Sequence, residues 1–128
     1  MRPRDRESKQ RLEIRRCQDH LGALIQRLQA PGTMIAGSVY ARKRRCGKPR
    51  CRCVRGHLHV DRVLAVRCAG RVTLRALDVV EDAAVEDGVR AWRSFRRDRR
   101  ELGSACRGLI KAVERLGRLR RVRPAGMA

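Results

Sequence analysis

The sequence predicts an α+β protein with an N-terminal helix, a small three-stranded antiparallel sheet and a long C-terminal helix that pairs with the first as an antiparallel coiled coil. Three observations predict this. Apolar residues recur at alternating steps of 3 and 4 near both ends of the chain, which is the seam of paired helices. Between them, short β-rich runs are bounded by Gly and Pro. The cysteines and histidines concentrate in one loop inside that middle region.

The first helix is read over residues 9–30 from Ile14, Cys17, Leu21, Leu24 and Leu28, with Ser8 as its N-cap and Pro31-Gly32 as its stop. The linker QAPGTMIAGS follows, giving an N-terminal segment 1–36. Strands are expected at Val39–Arg45, Val60–Cys68 and Arg71–Val79 within a segment 37–79. The last two form a hairpin, because Ala69-Gly70 is a two-residue connection carrying Gly. The long helix spans 80–123, since no Pro occurs until Pro124, and residues 124–128 form a tail. Trp92, Phe95, Leu102, Cys106, Leu109, Val113 and Leu116 make its seam if Arg99 takes one position. Gly88, Gly103, Gly108 and Gly117 each weaken this helix by roughly 1 kcal/mol relative to Ala, so Gly103 marks a possible break. Leu21, Leu24 and Leu28 are expected against Leu102, Leu109 and Leu116, either within one chain or across a homodimer.

The chain has 128 residues and a formal charge of +20, from 33 Lys+Arg against 13 Asp+Glu. Nearly all the cations are arginine, whose guanidinium stays charged and grips phosphate bidentately, so the surface suits a polyanion. Tyr40, Trp92 and Phe95 are the only aromatics. Folds that read single strands by stacking bases on aromatic platforms therefore lack their working parts. The longest uncharged run, Leu28 to Ala41, contains Pro31, Gly32 and Gly37, where a spanning helix needs about 20 apolar residues. The basic start MRPRDRESKQ leads into no apolar region, so no secretory signal is expected, and the reading is cytoplasmic.

The chemistry lies in RRCGKPRCRCVRGHLH, residues 44–59. Three thiolates and one imidazole make a closed tetrahedral zinc site, and Gly47-Lys48-Pro49 resembles the tight knuckles that aim backbone amides at a thiolate. The expected ligands of one zinc ion are Cys46, Cys51, Cys53 and His57, with His59 opening the next strand. Basic neighbours favour the thiolate form. Two other readings of these cysteines are small buried residues in a tight turn, and a redox or nucleophilic thiol. Cys17, Cys68 and Cys106 are read as buried apolar residues. His57-Leu58-His59 also resembles the metal-binding signature of HUH nickases, which need a tyrosine nucleophile; Tyr40 lies upstream, on an expected strand.

From His20 to Val60 no acidic residue occurs. Arg42, Lys43, Arg44, Arg45, Lys48, Arg50, Arg52 and Arg55 are therefore the expected nucleic-acid surface, gripping phosphates with little sequence preference. A second cluster, Arg93, Arg96, Arg97, Arg99 and Arg100, either extends that footprint or keeps the helix soluble. No phosphate-binding Gly-rich loop, dinucleotide fingerprint or Ser/His/Asp set is discernible, so a binding protein is expected and not an enzyme.

The order GSVYARKRRCGKPRCRCVRGH, a hairpin, then VRAWRSFRR leading into a charged helix resembles a family of short bacterial proteins of unknown function that share CGKPxCxC. Members of that family are often encoded near transposases and other mobile elements. The chain departs from the family where members have His-Gly-Pro-Tyr, reading His57-Leu58-His59-Val60 instead. The resemblance implies a mobile-element context and no established activity. Together the readings predict a basic, zinc-knuckle-like accessory protein that binds nucleic acid, DNA over RNA, at the bacterial nucleoid. The alternatives are an interaction module for a transposase or recombinase and a metal-dependent nickase.

Overall fold

The computed structural model describes residues 2–127, in the order α1 (Pro3–Leu28), β1 (Gly37–Arg44), a 3-10 turn (Arg52–Arg55), β2 (His59–Cys68), β3 (Arg71–Ala76) and α2 (Val79–Arg120). The predicted α+β class and its elements are present. The chain divides into a helical unit, residues 1–30 with 95–128, and a sheet unit, residues 31–94, so that α2 contributes to both. Among the described residues no helix is long and apolar enough to cross a membrane.

In the helical unit α1 starts earlier than Ser8. Pro3 sits in its first turn, where the missing N–H costs nothing, and the Arg2 N–H donates to the Asp5 carboxylate (3.2 Å). The longer helix carries the same seam further: Glu7 and Gln10 join Ile14, Cys17, Leu21, Leu24 and Leu28 as the positions withdrawn from solvent, and Leu24 is fully buried. The pairing with α2 is antiparallel, as expected. Gln10 Nε2 donates to the Ala112 carbonyl (3.1 Å), Glu13 meets Arg115 (3.7 Å), His20 meets Glu101 (3.1 Å) and Arg27 meets Asp98 (3.2 Å).

The α2 seam corrects the sequence reading at alternate positions. Phe95, Leu102, Leu109 and Leu116 are turned from solvent, but the positions between them are Asp98, Ala105 and Ala112, while Arg99, Cys106 and Val113 are exposed. A seven-residue apolar repeat allows its intermediate position to fall three or four residues on, and the larger side chains favour the wrong choice. Alanine wins because a small residue lets the two backbones approach: Ala112 is almost completely buried, with its carbonyl held by Gln10. Asp98 is tolerated inside because Arg27 donates to both carboxylate oxygens, at 3.3 and 3.2 Å. That guanidinium holds the Asp98 carboxyl below the usual carboxylate range. Helix α2 runs through Gly103 without a break.

In the sheet unit the strand order is β1-β2-β3, antiparallel throughout. The hairpin turn is the expected one: Ala69 and Gly70 both take positive φ, 51° and 78°, which is the requirement of a two-residue type I′ connection between right-twisted strands. The core is Leu64 with Val85 and Val89 of α2, closed by Ile35, Val39, Val66 and Leu77. Gly37 is needed at the start of β1, because a Cβ there would stand 2.7 Å from the Ala65 carbonyl oxygen. Ile35 lies against Gly88 and donates its N–H to the Gly88 carbonyl (2.9 Å), so this helical glycine makes room for the linker. Asp78 caps α2 by accepting the Glu81 N–H (2.7 Å). Arg62 ties β2 to that helix through Asp82 (2.7 Å) and Glu86 (3.4 Å). Cys68 and Cys106, read as buried, are exposed. Cys68 closes β2 beside the hairpin turn, and Cys106 falls outside the true helical seam.

Candidate metal centre

Between β1 and β2 the chain must reverse and offer several side chains to one point, and its glycines make this possible. Gly47 follows Cys46 at φ +83°, and the Cys51 N–H returns to the Lys48 carbonyl (3.2 Å). Cys51 then starts the 3-10 turn, and Gly56, at φ +100°, ends it as a left-handed cap whose N–H returns to the Arg52 and Cys53 carbonyls. Two tight turns thus hold Cys46, Cys51 and Cys53 close together. Cys53 is fully buried.

The fourth member of the cluster is His59 and not His57. The ligand atoms of Cys46, Cys51, Cys53 and His59 all lie within 4.8 Å of one another. The Cys46 and Cys53 sulfurs are 3.6 Å apart, and Cys51 Sγ is 3.1 Å from His59 Nε2. Three thiolates placed about 2.3 Å from a tetrahedral ion would be roughly 3.8 Å apart, so the group matches a four-coordinate site in size as well as in chemistry. These four residues could hold a metal ion. His57 falls outside because it belongs to the turn, where its N–H bonds to the Arg52 carbonyl; exposure does not separate the two, since both histidines are exposed. His59 opens β2 opposite Arg44, the last residue of β1, which brings it to the end of the sheet where the Cys46 loop leaves. The signal for this was strand register, since the first residue of β2 is anchored by pairing and a turn residue is not.

The electrostatics suit a cation. The Lys48 backbone amide lowers the Cys46 thiol to about 6, helped by Cys51, Cys53 and His59 and opposed by burial. For Cys51 the Cys53 amide acts downward, but hydrogen bonds to Cys46 and Cys53, burial and the neighbouring thiolate outweigh it and raise the group. One thiol therefore ionises readily and makes the next harder to ionise. A divalent ion among them removes that conflict.

The eight expected phosphate contacts divide into two groups. Arg42 and Arg44 are both engaged by Asp61, at 2.8 and 3.3 Å, and Arg42 holds the Asp61 carboxyl below its ordinary range. The acid-free run in the sequence ends one residue before Asp61, and antiparallel pairing places Asp61 directly opposite Arg42. Lys43, Arg45, Lys48, Arg50, Arg52 and Arg55 are exposed and have no ion pair among the described residues. Tyr40 lies mid-strand in β1, opposite Val63.

The fold and site together define a small α+β protein in which a Cys3His cluster sits between the first two strands of a sheet. The chain belongs to the family described as Domain of unknown function (DUF6788), which it matches over residues 6–85, from α1 through the cluster and sheet into the first turns of α2. No curated protein and no solved structure matches it.

Proposed function

We propose that this protein is a nucleic-acid-binding accessory protein whose Cys3His centre takes one zinc ion and holds a cationic loop against the phosphates of duplex DNA. The observation that carries the reading is that Lys43, Arg45, Lys48, Arg50, Arg52 and Arg55, interleaved in sequence with the clustered cysteines, are exposed, while Asp61 is occupied by other arginines. Zinc with three thiolates and one imidazole carries a net charge of −1, so the loop stays strongly cationic when the site is filled. All-sulfur and nitrogen donors favour zinc over the oxygen-seeking Mg2+ and Ca2+. The reading is binding and not catalysis: the four clustered residues would fill all the positions of a tetrahedral ion, as in a closed structural site, and of the two histidines only His59 belongs to that cluster. Duplex phosphates can be engaged without base-reading groups, so sequence preference should be weak. The likeness of the CGKPxCxC segment to proteins encoded near transposases supports a mobile-element setting.

The test is a salt series on a labelled duplex. Arg45, Lys48, Arg50 and Arg52 changed together to Gln should flatten the dependence of log K on log salt by about three to four, roughly 0.9 for each lost phosphate contact. An unchanged slope would remove the loop from the interface.

A further inference from the structure

We propose a second nucleic-acid face, separate from the metal loop, along the solvent side of α2 from Arg96 to Arg118. In a helix of 3.6 residues per turn, Arg96, Arg100, Arg107, Lys111 and Arg118 follow steps of 4 and 7 and fall within about 60° of one another. All five are exposed and none has an ion pair among the described residues. They lie away from the seam of Asp98, Leu102, Ala105, Leu109 and Ala112.

The distribution of the acids on this segment separates a binding face from a merely soluble one. A surface that only needs solubility intersperses both signs. Here Asp98 is buried against Arg27, and Glu101 is turned to His20 and Arg27 of α1 (3.1 and 3.9 Å). The first helix thus neutralises Asp98 and Glu101 on the inside, and the outer stripe is left with five cations and one acid, Glu114, which shares the azimuth of Arg96. The stripe runs about 33 Å at 1.5 Å per residue, close to one duplex turn of about 34 Å. A rigid row of cations of that length matches a duplex, which carries a charge every 1.7 Å or so of its axis.

The experiment uses the full chain and a labelled duplex of random sequence, titrated over a range of NaCl. Arg96, Arg100, Arg107 and Lys111 changed together to Gln should weaken binding at least about tenfold at 0.1 M salt and flatten the slope by about three to four. A second variant, with the three arginines changed to Lys, should keep the parent slope, because point charges suffice for phosphate. The proposal is overturned if the Gln variant, with helicity intact, binds like the parent. It is also overturned if the Lys variant loses as much slope as the Gln variant, or if polyglutamate binds the parent as tightly as the duplex, which would make the face a site for an acidic protein. The loop variant described above reports independently: loss there with a normal stripe variant sinks only this proposal, and the reverse pattern sinks only the loop.

Discussion

In the helical unit the residues most completely removed from water are Leu24 and Ala112, set in a repeating seam, whereas in the sheet unit the comparable set includes Val63, Val89 and the thiol of Cys53. The first unit is stabilised by repetition: each heptad adds the same kind of contact, and Arg27–Asp98 and Gln10–Ala112 fix its register. The second has three strands and a short apolar core of Leu64, Val85 and Val89, and the loop between β1 and β2 contributes no residue to that core. A metal would supply the constraint that packing does not. One chain thus joins a unit held by hydrophobic periodicity to a unit whose loop carries four residues that could hold a metal ion, and the two should fail under different conditions.

Chelation should separate them most widely. Metal binding to a structural site is itself folding free energy, on the order of 10 kcal/mol or more for zinc-finger peptides. A chelator should therefore abolish hydrogen-exchange protection at the 3-10 turn and the start of β2 while leaving most helical circular dichroism in place. Equal loss of both signals would mean that the helical unit depends on the loop.

Leu24→Ala should act in the opposite sense, lowering stability by about 2–5 kcal/mol through a cavity in the helix pair, with metal content unchanged. Thermal melts over a range of protein concentration check it, since burial in a dimer would make the loss concentration-dependent. Gly37→Ala should cost less, about 1–3 kcal/mol, because the added Cβ meets the Ala65 carbonyl of the neighbouring strand and the edge of the sheet must shift. Denaturant midpoints measure it.

The smallest effect expected is a pH dependence in the helical unit. Asp98 has a lowered carboxyl pKa in the folded chain, through hydrogen bonds from Arg27, so its contribution is complete above the unfolded value near 3.9 and is lost as pH falls through the lower folded value. Arg27, raised by the same contact, stays charged throughout. Asp98→Asn should melt below the parent at pH 7, and the gap should close in the acid range. A gap that persists at pH 2 would assign the effect to packing.

Most of the architecture was legible in the sequence because heptads and hairpin turns are local patterns. Leu21, Leu24 and Leu28 declare a helical seam, and Ala69-Gly70 declares a turn, with no knowledge of the rest of the chain. What sequence reading missed depended on pairing across distance. The choice between Ala112 and Val113 is decided by how closely α1 approaches, and the neutralisation of Arg42 by the strand that brings Asp61 beside it. The cluster that could hold a metal was legible in its three cysteines, whose spacing within a tight loop left little freedom. The histidine was not, because His57 and His59 are equally near in sequence and only the start of β2 separates them.

Whether Cys46, Cys51, Cys53 and His59 form one metal centre is decided by X-ray absorption at the zinc edge together with the metal content per chain. The expected result is one zinc with three sulfurs at about 2.3 Å and one nitrogen at about 2.0 Å. That nitrogen should be lost, and metal retention weakened, in His59→Ala but not in His57→Ala. A parent protein that takes up no zinc, or a nitrogen that disappears with His57→Ala and survives His59→Ala, would contradict it.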